Sequence, residues 1–316
     1  MGSTAHTPTS KHVNPTEDVF LIDASIFIFR YYFSLPPNWV GEEGFSTEAI
    51  YGFAQFLLAL TREQPESLMA CCFDESLETG FRHQLSEQYK SSRALPDEAL
   101  AYQLQGCQHV AETMGIRCFS STLYEADDLI GSLKADLSTY PHVNPIHILS
   151  RDKDLGQLLC SPSDTLWDYG KAEPMGMEGI KQKFGVNPEQ VPDYLALVGD
   201  KSDDIAGVPG IGPKTAVALL EAFGSIHGVF THLDQIPSLS VRGAKHLPAK
   251  LESHIEQIAL SQTLARIVTD IGLIHEPEEL RRSGVDEGRL HEVLQSFGIS
   301  SLQKKAAHLF LENTKS

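Results

Sequence analysis

The sequence predicts an α/β protein in which a central, mostly parallel sheet flanked by helices is followed by a helical region. Between residue 19 and about residue 170, short apolar or β-branched runs alternate with longer segments of helical period, as in successive βαβ units. After about residue 175 the strand pattern stops, and short helices separated by Gly and Pro follow. Because 316 residues are many for one domain, we expect one large domain or two closely packed ones.

Three regions follow from these patterns. They are a flexible N-terminal arm over 1–17, an α/β core over 18–174 and a helical region over 175–316. The predicted strands are 19–22, 68–73, 116–120, 146–150 and 165–169. The helices with the clearest apolar period are 49–63, 98–115, 126–138 and 251–268.

Composition limits the kinds of function that the chain can have. No apolar run approaches the ~18 residues needed to cross a bilayer. The five cysteines are odd in number and show no CxxC pair, which favours a reducing cytoplasm, with Cys71 and Cys72 as buried packing residues. The formal charge of −17 argues against a nonspecific nucleic-acid coat, since phosphates are bound mainly by Lys and Arg. Any nucleic-acid site must therefore place its acids around cations and gather its basic residues locally.

Acidic residues follow the predicted strands at the points where the strands end. In parallel sheets these carboxyl ends meet at one edge, where ligands bind. Each acid alone would be explained as a helix cap, but together they would repel unless cations lay among them. Oxygen ligands without His or Cys select Mg²⁺ or Mn²⁺. The residues are Asp23, Asp74, Glu125, Asp127, Asp128, Asp152 and Asp154.

A glycine-rich hairpin in the helical region is typical of binding to a nucleic-acid backbone. It has the sequence GVPGIGPKTAVALLEAFG and follows Asp200 and Asp203 of GDKSDDI, which alone could be a polar turn. Gly210 and Gly212 would let backbone amides approach phosphates, with Lys214 and Thr215 as further donors at a helix N-terminus. The alternative is an ordinary packing corner between two helices.

One basic stretch stands out in this acidic chain. FRHQLSEQYKSSRALPDEAL carries Arg82, Lys90 and Arg93 between a strand-end aspartate and a helix. It is either a solvated charged face or a mobile arm over the metal site. In the second case its cations would neutralise phosphates and stabilise charge that develops during reaction.

Several strings together make the chain resemble the 5′ nuclease or flap endonuclease family, which includes the 5′ to 3′ exonuclease domain of bacterial DNA polymerase I. The resemblance covers about residues 19–270. It implies a PIN-like core, a helical arch at about 78–98 and a helix-hairpin-helix (H3TH) motif at about 190–224. The strings are LIDASIFIFR, CCFDESLETGFRHQLSEQYKSSR, EADDLIG, SRDKDLGQLL and DYLALVGDKSDDIAGVPGIGPKTA.

The resemblance also implies roles for individual residues. A first metal ion would be held by Asp23, Asp74, Glu125 and Asp127, and a second by Asp128, Asp152, Asp154, Asp200 and Asp203. Lys90 and Arg93 would be catalytic, and they would bind DNA together with Arg82, Gly210, Gly212, Lys214 and Thr215. A potassium ion would be held by the main-chain carbonyls of Ile205, Val208 and Ile211. Phe29 is either a base-stacking aromatic or a core residue, and Arg151 stands where relatives commonly have small or polar residues.

The activity implied by the resemblance is a two-metal, structure-specific 5′ nuclease, both flap endonuclease and 5′ to 3′ exonuclease, in replication or repair. Its substrates would be DNA with 5′ flaps or ends, with RNA primers left open. We expect a stand-alone cytoplasmic, nucleoid-associated monomer, without a membrane partner and coupled functionally to a DNA polymerase and ligase. Two alternatives remain at this stage: a noncatalytic DNA-structure binder, and a PIN-like ribonuclease, which should lack the hairpin string.

Overall fold

A parallel sheet forms the centre of the α/β unit. The computed structural model describes residues 17–75 and 79–311. Within them the strands lie in the order β3-β2-β1-β4-β5, and every neighbouring pair is parallel. The strands are β1 (Glu17–Asp23), β2 (Leu68–Asp74), β3 (Arg117–Ser121), β4 (Val143–Leu149) and β5 (Thr165–Trp167). The predicted fold class is confirmed, and each predicted strand overlaps an observed one.

Helices cover both faces of the sheet and build the region that follows it. They are α1 (Ala24–Ser34), α2 (Glu48–Glu63), α3 (Phe81–Leu85), α4 (Glu98–Thr113), α5 (Ala126–Leu137), α6 (Met177–Phe184), α7 (Val191–Val198), α8 (Pro213–Phe223), α9 (Ile226–Thr231), α10 (Leu247–Glu252), α11 (Ile255–Ala265), α12 (Glu287–Ser296), α13 (Gln303–Ala306) and α14 (His308–Leu311). None of the four helices predicted by apolar period corresponds to α1.

Strand β1 separates two hydrophobic cores, because its successive side chains point to opposite faces of the sheet. Val19 and Leu21 join a core shared with α5 and most of the helical region. Phe20 and Ile22 join a core with α1, α2 and α4. Helices α12 to α14 also belong to this second core, so the chain returns to the opposite face of the sheet after residue 285.

The predicted helix over 251–268 is confirmed in α11, but its first residues belong to the separate helix α10. The Lys250 carbonyl accepts hydrogen bonds from the Ser253 hydroxyl at 2.8 Å and from the His254 ring at 2.8 Å. These side chains compete with the backbone N–H groups that would continue the helix. The chain therefore turns at Ser253 and His254 before α11 begins.

The arm predicted over 1–17 lies outside the described residues, except for Glu17, which opens β1. Within the described part of the chain, no helix is long and apolar enough to span a bilayer. Cys71 and Cys72 are fully buried in the sheet, as predicted.

Candidate metal centre and nucleic-acid interface

The carboxylate at the end of β1 lies at the centre of the sheet edge, because β1 pairs with both β2 and β4. Asp23 also caps α1, accepting a hydrogen bond from the Ile26 backbone N–H at 3.3 Å. Its other oxygen accepts a hydrogen bond from the Ser150 hydroxyl at 2.7 Å. Strand, helix and the neighbouring strand end thus fix Asp23 in one orientation.

The neighbouring strand ends complete a cleft around Asp23. Asp74, at the end of β2, accepts a hydrogen bond from the Ala126 N–H at 2.7 Å, which joins it to the start of α5. The cleft has a volume of about 200 Å³. Its lining residues are Asp23, Ser25, Ile26, Phe29, Asp74, Lys90, Arg93, Glu125, Asp127 and Asp152. The predicted first-metal residues therefore all lie on one cleft.

A smaller pocket adjoins this cleft and shares Glu125, Asp127 and Asp152 with it. Asp154 and Asp203 line the smaller pocket. Asp200 does not line it, but its carboxylate interacts directly with that of Asp154. The structure thus gathers eight of the nine predicted ligands around two connected pockets.

Burial and crowding make several of these carboxylates resist ionisation. Burial, assisted by the charge of Asp74, raises the pKa of Asp23 to about 7. Burial, assisted by Asp152, raises the pKa of Asp154 to about 8. The pKa of Asp127 is raised well above its usual range, first by burial and then by the charges of Asp152 and Asp23. A cation among these groups would favour their ionised forms.

Two oxygens of the cluster lack a hydrogen bond, and each lies 4.0 Å from the Lys153 ammonium, at the outer limit of an ion pair. The Oδ1 atom of Asp154 and the Oδ2 atom of Asp200 are buried and form no hydrogen bond. Buried polar atoms without a hydrogen bond are costly, so these oxygens are suited to a cationic ligand. Within 17–75 and 79–311, no three acidic, His or Cys side chains are already arranged as ligands of one metal ion. Several of the carboxylates instead accept hydrogen bonds from groups of the protein.

Lys90 is one of these partners, and it forms an ion pair with Glu125. Its Nζ lies 2.6 Å from Oε1 of Glu125. Although burial raises the pKa of Glu125, the Lys90 and Arg82 charges outweigh this and hold it below its usual value. The Lys90 backbone has a φ of 52°, a strained conformation for a residue with a side chain, and its N–H donates to the Asp203 carbonyl at 3.0 Å. The fold therefore holds Lys90 against the cluster from both its backbone and its side chain.

Arg93 lies at the mouth of the cleft. Its guanidinium donates to Oδ1 of Asp203 at 2.6 Å, and its side chain is 51% exposed. Tyr89, for which sequence analysis proposed no role, donates its hydroxyl to Oε2 of Glu125 at 2.9 Å. Ser150 was also missed, and its sequence signal was a hydroxyl at the end of the strand predicted over 146–150.

Arg82 was predicted to bind DNA and Asp128 to bind metal. Both predictions are corrected, because the two side chains pair with each other. Arg82 is 3% exposed, and its guanidinium donates to both oxygens of Asp128, at 2.6 and 2.7 Å. Asp128 also accepts from the N–H groups of Glu125 and Val268. Four accepted hydrogen bonds use the capacity of a carboxylate, so neither residue is available to a ligand in this conformation.

The predicted helical arch at about 78–98 is largely nonhelical in its described part, with Glu78 lying outside the described residues. Helix α3 spans five residues there, and α4 begins at Glu98. Turns connect them, and the inward-facing Arg82 holds the base of the segment against the backbone carbonyls of Leu264 and Arg266. The segment nevertheless brings Lys90 and Arg93 to the cleft.

The glycine-rich hairpin connects α7 to α8. Gly207 packs against the backbone of Val198, where an added Cβ would lie 2.2 Å from the carbonyl carbon. Gly210 is exposed with a φ of 78°, and Lys214 is exposed in the first turn of α8. Gly212 and Thr215 are partly exposed beside them. The predicted backbone-binding groups therefore share one accessible turn.

The carbonyls predicted to hold potassium are partly engaged within the hairpin. The Ile205 carbonyl accepts from the Asp200 N–H at 2.9 Å, and the Val208 carbonyl accepts from the Ile211 N–H at 2.9 Å. Lys250, which was not among the predicted site residues, also reaches the hairpin, where its Nζ donates to the Pro209 carbonyl at 2.7 Å. The potassium site stays a prediction.

A carboxylate cluster at the edge of a parallel sheet, beside basic residues and a helix-hairpin-helix, defines the class of 5′ nucleases. The chain belongs to the 5′-3′ exonuclease family. The family model for the N-terminal resolvase-like domain of 5′-3′ exonucleases matches residues 18–185, and that for their C-terminal SAM fold matches residues 186–288. The predicted family is confirmed, while the predicted domain boundary at 174 stays a prediction.

Known relatives support this assignment. A 5′-3′ exonuclease of Aquifex aeolicus is 32% identical over 292 residues, which are 92% of this chain and 96% of that protein. DNA polymerase I of Pseudomonas aeruginosa is 39% identical over 262 residues, which are 82% of this chain but 28% of the polymerase. The bacteriophage T5 D15 flap endonuclease, solved as a pseudo-enzyme-product complex with DNA and metal ions, has the same fold. It gives a TM-score of 0.61 at 18% identity over 95% of this chain and 100% of that one.

Proposed function

We propose that the chain is a structure-specific 5′ nuclease that hydrolyses DNA phosphodiester bonds near 5′ ends, as flap endonuclease and 5′ to 3′ exonuclease, in replication or repair. The observation that carries this proposal is the pair of connected carboxylate pockets with Lys90 and Arg93 at their edge. Similarity to the 5′-3′ exonuclease of Aquifex aeolicus and to the T5 flap endonuclease supports the proposal.

The donor types of these residues suit two divalent metal ions, although several carboxylates would first have to turn from their present protein partners. Asp23, Asp74, Glu125 and Asp127 would hold the first, and Asp152, Asp154, Asp200 and Asp203 the second. The oxygens of Asp154 and Asp200 that lack hydrogen bonds and the raised pKa values of Asp23 and Asp154 support cation binding in both pockets. Oxygen donors alone favour Mg²⁺ or Mn²⁺. When bound, such ions would lower the pKa of a water and stabilise charge on the scissile phosphate.

The basic residues would act on the phosphate directly. The Lys90 ammonium, now bound to Glu125, is close enough to the cleft to donate hydrogen bonds to a phosphate oxygen there. Arg93 is half exposed and offers a planar guanidinium at the cleft mouth. The hairpin around Gly210 would bind the duplex backbone at a distance from the cut, which explains how a chain of net charge −17 could retain DNA.

The test is cleavage of 5′-flap, nicked and blunt duplexes by the purified chain, in Mg²⁺ and in EDTA. We expect Mg²⁺-dependent release of products from 5′ ends. Asp152→Ala and Asp200→Ala should each slow cleavage by about 10²-fold or more while DNA binding in EDTA is retained. Asp234→Ala, at an exposed position outside both pockets, is the matched control. Retained turnover in either cleft variant would refute the metal assignments, and binding without any cleavage by the unaltered chain would favour a noncatalytic DNA-structure binder.

Other parts of the proposal need separate measurements. Flaps with RNA at the 5′ end would test primer removal, and a change of K⁺ for Na⁺ would test the potassium site. We further propose a cytoplasmic, nucleoid-associated monomer coupled to a DNA polymerase and ligase. Sedimentation of the purified chain, its location in cells and repair synthesis in a reconstituted reaction would test these points.

A further inference from the structure

A groove of about 410 Å³ lies beside the smaller carboxylate pocket and shares no lining residue with that pocket or with the cleft. Lys153 of the groove is 4.0 Å from Asp154 of the smaller pocket. It is formed by the end of α6, by α7 and by the turn that follows α7. Its volume lies in the ~300–1,000 Å³ range of sites that bury small organic ligands. Its lining residues are Lys153, Lys183, Phe184, Tyr194, Leu195, Val198, Gly199, Asp200 and Lys201.

Three lysines surround this groove in a chain whose net charge is strongly negative. Lys183 and Lys201 are exposed, and neither pairs with an acidic side chain in the described ranges. Lys153 lies 4.0 Å from both Asp154 and Asp200, which is the outer limit of an ion pair, and its side chain is 41% exposed. The lysines therefore keep positive charge available to an anionic ligand.

Two aromatic rings contribute to the same groove. Phe184 and Tyr194 pack edge to face with their centroids 5.6 Å apart, and the Lys153 ammonium lies 5.7 Å from the Phe184 ring centroid. Phe184 is buried, whereas Tyr194 is partly exposed. Tyr194 is therefore the ring on which a planar ligand could stack.

Aromatic rings beside lysines are the chemistry with which proteins bind unpaired nucleotides, since bases stack on the rings while phosphates meet the cations. We propose that this groove is a second nucleic-acid subsite, which takes one unpaired nucleotide of a strand with its base on Tyr194 and its phosphates at Lys183 and Lys201. The proposal rests on the proposed nuclease function. It places this nucleotide next to the smaller carboxylate pocket, because Lys153 of the groove lies 4.0 Å from Asp154 of that pocket.

The test is binding of a fluorescent oligothymidylate of about eight nucleotides in EDTA, measured by anisotropy over a range of salt concentrations. The Lys183→Ala/Lys201→Ala variant should bind about tenfold more weakly. Its slope of log K against log salt should be smaller by about 1.4, because each lost phosphate contact on a single strand contributes about 0.7. The matched control, Lys304→Ala/Lys305→Ala, removes the same charge from α13, which packs on the opposite face of the sheet.

Tyr194 provides an independent arm of the test. Tyr194→Leu should weaken binding about tenfold, whereas Tyr194→Phe keeps the ring and should bind as the unaltered chain does. Equal thermal unfolding of the two variants shows that the difference comes from stacking. The subsite is refuted if the double lysine variant binds like its control, or if Tyr194→Phe and Tyr194→Leu bind alike.

Cleavage assays in Mg²⁺ distinguish this proposal from the function on which it rests. If the unaltered chain cleaves 5′ flaps but the groove variants keep its oligonucleotide affinity, the subsite alone is refuted. If the chain cleaves nothing while the groove variants lose binding in EDTA, the subsite is supported and the nuclease proposal fails.

Discussion

Arg82 is expected to stabilise the fold rather than to bind DNA, and Arg82→Met tests this directly. All of its N–H directions are used inside the protein. The guanidinium donates to Asp128 and Glu125 and to the carbonyls of Leu264 and Arg266. These bonds connect the basic segment, the start of α5 and the end of α11.

The size of the effect follows from burial. Removing one partner of a buried ion pair costs about 3–5 kcal/mol, because the other charge is left uncompensated. Asp128 is 0% exposed, so it meets this condition. At about 2 °C per kcal/mol for a large domain, the Tm should fall by about 6–10 °C. Arg93→Met removes a half-exposed pair and should cost less than about 1 kcal/mol, which makes it the matched control.

The assay is urea unfolding of both variants with thermal scans beside it, together with DNA affinity in EDTA. Asp128→Asn and the double variant with Arg82→Met complete a cycle, in which a coupling of about 0.5–3 kcal/mol is expected for directly bonded residues. The reasoning is refuted if Arg82→Met loses less than about 1 kcal/mol of stability. A fall in DNA affinity with stability intact would return Arg82 to the DNA-binding role predicted from sequence.

Three further predictions concern the cleft and the hairpin. Lys90→Met should slow single-turnover cleavage by about 10²-fold with little change in DNA affinity, and an unchanged rate would remove Lys90 from the site. In EDTA, the Tm should fall as the pH rises from about 5 to above 8, and Mg²⁺ should restore it. In the folded state the pKa values of Asp23 (about 7) and Asp154 (about 8) exceed the ordinary value of 3.8. The protonated carboxyls therefore stabilise the folded state fully below pH 3.8, and this stabilisation is lost as the pH rises through 7 to 8. A Tm that rises over this range would contradict the prediction. Gly207→Ala should lower the Tm and duplex affinity because its Cβ would meet Val198, whereas Gly212→Ala has open space and should fold normally; equal Tm values would refute the packing argument.

Local patterns in the sequence determined the sheet and the position of most of the acidic cluster. Apolar runs mark strands wherever both faces are buried, and parallel strands bring their carboxyl ends to one edge. Asp23 and Asp74 could therefore be placed together without coordinates, since each is the last residue of its strand. The hairpin was equally predictable from the sequence, because Pro213 at a first helical position and the preceding glycines determine the local backbone conformation.

Only the tertiary structure decided which charges face a ligand and which face each other. Asp127 and Asp128 are neighbours in one helical turn, yet the first lines the cleft and the second is turned to Arg82, 46 residues away in sequence. Lys183 and Tyr194 likewise become one groove only because α6 and α7 meet beside Asp200. Sequence spacing gives the direction of a side chain within its own helix, but the partners that it meets depend on how distant elements pack.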